Sequence, residues 1–181
     1  MNFPLINTFQ VGDRTIDFLN RKFDQYVSEQ GLISAKASGD QVYVTDTGVF
    51  TNNMCLWDDE EFTKFVDWLV DLFADKLDVT RDAIGIHFTH FFDYQQGGLV
   101  NVHEHTDSED FVMIVYTNTS ESGDTIFYLN PKFQSRTQVS CKPTKGLAVL
   151  FSAMLQHEVK YTSDPKRIFV VGVRINTTGG V

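Results

Sequence analysis

Cysteine and basic residues are both scarce. The 181 residues contain two cysteines, Cys55 and Cys141, in unrelated contexts and without a C-x-x-C spacing. That is the usage of a reducing compartment, and a chain of this length needs neither disulfides nor a structural metal to hold it. Lysine and arginine number 15 against 24 acidic residues, a formal charge of −9. Such a balance argues against nucleic-acid backbones and anionic membranes as main partners. No apolar run approaches the roughly 20 residues of a membrane span. The opening Met1-Asn2-Phe3-Pro4-Leu5 lacks the basic region and apolar run of a secretory signal. Internal repeats, low-complexity segments and Pro/Ser-rich linkers are missing too. These absences predict a soluble, cytoplasmic chain folded as a single domain over residues 1–181.

What is present is apolar and aromatic: 42% hydrophobic residues, with 16 phenylalanines, enough to bury a sizeable core. Two segments have helical periodicity. From Asp13 to about Gln30 the apolar positions are Ile16, Leu19, Phe23 and Val27, with Gly31 placed as a stop. From Asp58 to Leu77 the stripe is Phe62, Phe65, Val66, Leu69, Leu72 and Phe73, behind the acidic start Asp58-Asp59-Glu60-Glu61. With a short strand at Gln41-Val42-Tyr43-Val44, residues 1–82 are expected to form a helical layer. After Asp82 the pattern changes to closely spaced β-rich runs: Ile84–Tyr94, Leu99–His105, Phe111–Asn118, Thr125–Leu129, Thr137–Cys141, Leu147–Phe151 and Arg167–Asn176. Turn signals such as Gln96-Gly97-Gly98, Ser122-Gly123-Asp124, Asn130-Pro131 and Lys145-Gly146 separate them. The prediction is a mainly β protein with N-terminal helices, its residues 83–181 forming a jelly-roll-like core.

All five histidines fall in that β region. In His103-Glu104-His105-Thr106-Asp107, His105 and Asp107 are one residue apart, so on extended backbone they point to the same side. An imidazole and a carboxylate on one side form two thirds of the facial triad of non-haem iron oxygenases, which leaves coordination positions open for co-substrate and O₂. His157, just after the apolar run Leu147–Phe151, is the candidate third donor. Ten residues later, Arg167 shares a strand face with Phe169, Val171 and Val173. An arginine on an inward apolar face needs an anion, and a bidentate carboxylate suits a guanidinium best. No acidic residue on a neighbouring strand is an obvious partner, so the anion is read as a ligand. Tyr116, on the face of Val112 and Ile114, likewise needs an interior partner for its hydroxyl.

These residues carry a resemblance. His105-x-Asp107, Met113-Ile114-Val115-Tyr116-Thr117-Asn118, Ser122-Gly123-Asp124-Thr125-Ile126-Phe127, Gly146–Phe151 leading into His157-Glu158-Val159, and finally Arg167 follow one another in an order that resembles the iron(II)/2-oxoglutarate dioxygenases of the prolyl hydroxylase type. The resemblance spans roughly Tyr94 to Asn176. It implies a double-stranded β-helix, iron on His105, Asp107 and His157, and the distal carboxylate of 2-oxoglutarate on Arg167 and Tyr116. It also implies hydroxylation of a substrate C–H bond by O₂, coupled to conversion of 2-oxoglutarate to succinate and CO₂, with ascorbate as a candidate reductant. The chain departs from the family pattern at Ser122-Gly123, where Gly-Gly is usual. It also offers a second pair at the same spacing, His103 and His105, which would displace Asp107. A carboxylate is the usual third donor for iron(II), which favours His105 and Asp107.

Substrate is read by loops outside the core. A peptidyl proline is the first expectation and a free small molecule the second, with Tyr94, His103 and Gln156 as candidates for the outer pocket. Two other classes remain open: a cupin-like metalloenzyme using His103, His105 and His157 without 2-oxoglutarate, and a non-catalytic jelly-roll binding module.

Overall fold

A computed structural model describes residues 6–34, 48–105, 109–129 and 137–176. The expected strand at residues 41–44, the turn at Asn130-Pro131 and Asp107 lie outside the described residues. In chain order the elements are β1 (Ile6–Gln10), α1 (Asp13–Gln30), β2 (Ile33–Ser34), β3 (Gly48–Phe50), α2 (Glu60–Leu77), β4 (Ile84–Tyr94), β5 (Val100–His103), β6 (Phe111–Tyr116), β7 (Thr125–Tyr128), β8 (Gln138–Cys141), β9 (Leu147–Ser152), β10 (His157–Val159) and β11 (Lys166–Ile175). Both helices and all seven expected strand runs are found. Three strands from the first half of the chain join the larger sheet, so that half is more than a helical layer. None of the helices is long and apolar enough to cross a membrane.

All strand pairs are antiparallel. Seven strands form one sheet in the order β1-β9-β6-β11-β4-β3-β2, and four form the other, β5-β10-β7-β8. The central strands of the larger sheet are apolar on both faces. Odd residues of β6 and β11, such as Met113, Val115, Phe169 and Val171, pack with Ile16, Phe23, Phe62 and Phe73 of the two helices. Even residues, Val112, Ile114, Tyr116, Ile168 and Val170, face Phe127, Val159 and other residues of the smaller sheet. The jelly roll thus has two cores, one under the helices and one between the sheets.

Helix α2 starts two residues after the acidic run begins because Asp59 is its cap: the carboxylate accepts from Phe62 N–H at 2.7 Å. The same carboxylate holds the ammonium of Lys22, a buried residue of α1, at 2.7 Å, and Glu61 adds a second contact at 2.9 Å. Burial pushes the Asp59 carboxyl up, but Lys22 and the Phe62 N–H outweigh it and the net direction is down. Lys22→Ala leaves that carboxylate beside an apolar wall. It is expected to destabilise the fold by about 3 kcal/mol, read as a lower urea midpoint. Because the folded Asp59 titrates below its unfolded value near ~3.9, its contribution is complete above about pH 4 and is lost as pH falls through the folded pKa. Asp59→Asn should remove that part of the acid dependence.

Candidate metal centre

His157 opens β10 and pairs directly with His103 of β5. Opposed residues in an antiparallel ladder project to the same side, and the two imidazole centroids lie 4.2 Å apart. His105 joins them at 4.9 Å from His103 and 5.2 Å from His157. Its backbone N–H is held by the Ala153 carbonyl at 2.8 Å. One ring nitrogen from each of the three lies within 4.8 Å of the others, close enough to converge on a single metal ion.

The backbone fixes which nitrogen is presented. His157 Nδ1 faces the Leu155 carbonyl at 3.0 Å, and His103 Nδ1 faces that of Asn101 at 2.9 Å. A carbonyl only accepts, so each Nδ1 carries the proton and each Nε2 offers its lone pair. Burial, then the neighbouring charges of His103 and His105, hold the His157 pKa well below the ordinary imidazole value. A neutral imidazole is the form that binds metal. Phe127 and Phe151 pack against its ring, at 5.7 and 4.8 Å, and limit its rotation.

The three histidines open onto a pocket of about 420 Å³, part of it in contact with solvent, walled by Phe92, Tyr94, Val112, Ile114, Ile168 and Val170. Next to Tyr94 lies Lys166, the first residue of β11 and fully buried. Its ammonium donates to the Gly123 carbonyl at 2.5 Å and sits 4.7 Å from the Tyr94 ring. Gly123 has φ 77°, and a Cβ there would lie 2.9 Å from Thr162 Oγ1 and 3.2 Å from Lys166 Nζ. The turn needs glycine both for its conformation and for the approach of the lysine. Burial drives the Lys166 pKa down to about 7, against the pull of Asp124 and Asp164. A buried ammonium with three N–H groups and one carbonyl acceptor suits an additional anion.

Tyr116 lies where expected, buried on the face of Val112 and Ile114. Its hydroxyl donates to Thr125 Oγ1 at 2.7 Å, so its interior partner is a threonine of β7. Arg167 requires a correction. It does share the face of Phe169 and Val171, but that face packs on the helices, away from the histidines. Its guanidinium lies 3.8 Å from the Phe23 ring centroid, 3.6 Å from Asp93 and 3.9 Å from Asp24. Asp93, its cross-strand neighbour on β4, is the acidic partner that sequence reading did not find.

No protein-family model matches the sequence, and no curated protein matches it significantly. Solved structures do resemble it in shape. The chain is similar to a prolyl-4-hydroxylase of Pseudomonas putida, with TM-score 0.69 and 14% identity over 95% of this chain and 93% of that one. It is similar to HygX of Streptomyces hygroscopicus, solved with nickel, 2-oxoglutarate and hygromycin B, with TM-score 0.70 and 10% identity over 97% and 84% of the two chains. The epimerase SnoN, solved with Fe3+, alpha-ketoglutarate and nogalamycin RO, gives TM-score 0.74 and 7% identity over 99% and 88%. The chain has the double-stranded β-helix fold of the 2-oxoglutarate oxygenases.

On this oxygenase fold the expected donors His105 and His157 come together, and His103 comes with them. Tyr94 and His103 line the pocket as expected of outer-pocket candidates, whereas Gln156 lies outside its lining. Lys166 was missed because it stands at the first position of its strand, next to a more conspicuous arginine. His157→Ala is expected to abolish binding of a divalent metal, followed by cobalt(II) titration. Arg167→Ala, on the far side of the sheet, should leave that affinity within about twofold, a shift below 1 kcal/mol.

Proposed function

We propose that this protein is an iron(II)- and 2-oxoglutarate-dependent dioxygenase that hydroxylates a substrate C–H bond. One observation carries the reading: three imidazoles converge in an apolar-walled pocket, and a buried ammonium stands behind its Tyr94 wall. Bound iron(II) and 2-oxoglutarate would supply the oxidising chemistry, in which O₂ places one oxygen in the substrate C–OH and one in succinate as CO₂ leaves. The protein's part is to bind and orient. His103 and His157 would hold the metal through Nε2 and His105 through a ring nitrogen, and Lys166 would receive the distal carboxylate of the co-substrate. Val112, Ile114, Ile168 and Val170 keep water from the span between them. Tyr116, whose hydroxyl donates to Thr125, and Arg167, paired with Asp93, are left out of this binding set.

This donor set replaces the carboxylate of the expected triad with a third imidazole. Asp107 remains the competing donor. The two sets separate by mutation: His103→Ala should weaken metal binding at least about 100-fold, beyond the loss typical of an outer-shell partner, while Asp107→Ala changes it little. The reverse outcome restores Asp107. A three-histidine site also fits a cupin-like metalloenzyme without 2-oxoglutarate, and the buried Lys166 is what favours a dicarboxylate over that reading. A peptidyl proline or a free small molecule is the proposed substrate.

The test is anaerobic addition of iron(II) and 2-oxoglutarate, watching for the visible charge-transfer band of the chelate, followed by succinate formation in air. Lys166→Met should raise the 2-oxoglutarate concentration needed for the band at least about tenfold, with Arg167→Ala near wild type. The pH dependence has a definite sign. Without an anion Lys166 loses its proton near pH 7, and a carboxylate binds its charged form, so ligand binding takes up a proton. Affinity for 2-oxoglutarate should fall up to about tenfold per pH unit above that value, and this slope should vanish in Lys166→Met.

A further inference from the structure

Beyond the pocket, β4 carries a strip of aromatic rings on the same face. Tyr94 pairs with Lys166, Phe92 with Ile168, His90 with Val170 and Phe88 with Gly172. Moving from Tyr94 to Phe88 therefore leads away from the buried ammonium, past the pocket walls, over about 20 Å of strand. The rings form a continuous surface. Phe92 stacks on Tyr94 at 6.1 Å, His90 lies 6.2 Å from Phe92 and 5.0 Å from Phe88, and Phe50 of β3 packs at 5.5 Å from Phe92 and 6.4 Å from His90.

Phe50, Phe88, His90 and Phe92 are all half-buried, while Phe91, on the opposite face, is fully buried under the helices. The strip is built into the backbone. A Cβ at Gly172 would run into the Phe88 ring, so the glycine lets that ring lie against β11. His90 Nδ1 is anchored to the Thr51 carbonyl at 3.0 Å, and burial lowers the His90 pKa, favouring the uncharged ring.

We infer that Phe50, Phe88, His90 and Phe92 form a substrate subsite, continuous with the metal pocket, that takes a flat, uncharged, apolar group lying next to the oxidised carbon. The inference rests on the oxygenase reading for its substrate and deepens it by naming a substrate class. Continuity supplies the argument for the occupant, because Phe92 belongs both to the pocket wall shared with the three histidines and to the strip. A charged group would be desolvated against four rings, and the buried Glu109 carboxylate at the Phe88 end is already paired with His87, whereas a planar apolar group gains offset or edge contacts.

The test uses indole as probe in ligand-observed NMR on the full chain, with and without manganese(II). Saturation transfer to indole is expected in the wild type. It should fall at least about fivefold in Phe88→Ala and in Phe50→Ala, neither of which lines the metal pocket. Phe88→Leu, which keeps apolar volume and loses the flat ring, and Gly172→Ala, which displaces Phe88, should weaken it in the same direction. Circular dichroism melting curves identify any variant that has lost its fold. Bound manganese should broaden the indole resonances, since the strip adjoins the histidines. Indole binding unchanged in the folded Phe88 and Phe50 variants, or binding without broadening in manganese-loaded protein, overturns the subsite. Failure of manganese to bind overturns the metal centre instead, and the metal-free comparison of variants still decides the subsite.

Discussion

The site depends on how β10 is paired. This three-residue strand lies between β5 and β7 with His157 opposite both His103 and Phe127. That register does two things at once. It sets two imidazoles on one side of a ladder at the separation of directly opposed side chains, and it packs an aromatic ring against His157 from the other neighbour. The carbonyls of Leu155 and Asn101 then fix the tautomers. A shift of one residue would turn His157 to the opposite face and disperse the cluster.

The same register explains what sequence could and could not disclose. His103/His105 and His105/Asp107 have equal spacing, and spacing alone cannot rank them. The partner of His157 across the ladder is His103, which brings that imidazole to the other two. The strand that carries His157 is three residues long, too short for a periodic signal, and it went unpredicted along with β1, β2 and β3. Longer elements were legible for physical reasons: the stripes of α1 and α2 repeat over 18 residues each, and Gly31 and Asp59 mark a stop and a start. β11 was legible as a strand, but its faces were not. Both are apolar, so alternation puts Lys166 and Arg167 on opposite sides without saying which side holds the cavity. Knowing that Asp93 stands across from Arg167 needs the tertiary register.

Charge adds a constraint of its own. The chain is acidic, at −9, yet the proposed centre has the opposite sign. Three imidazoles contribute no charge, so a divalent metal there keeps its full charge, and Lys166 adds another when protonated. A dianion that bridges metal and ammonium would satisfy both in a medium of low dielectric, where such terms are strongest. A carboxylate in the donor set would reduce that attraction. The buried lysine is thus the part of the proposed arrangement that favours a dicarboxylate co-substrate.

The paired strands β4 and β11 also impose an order on the ligands. Lys166 and Tyr94 mark one end, Gly172 and Phe88 the other, and the walls near the histidines lie between them. A dicarboxylate held by Lys166 must reach the metal from the first end. That leaves the aromatic end as the side from which a substrate carbon can approach without crossing the co-substrate. On the proposed reading, one antiparallel pair would keep the two ligands apart, with the ammonium at one end for the co-substrate and the aromatic rings at the other for the substrate.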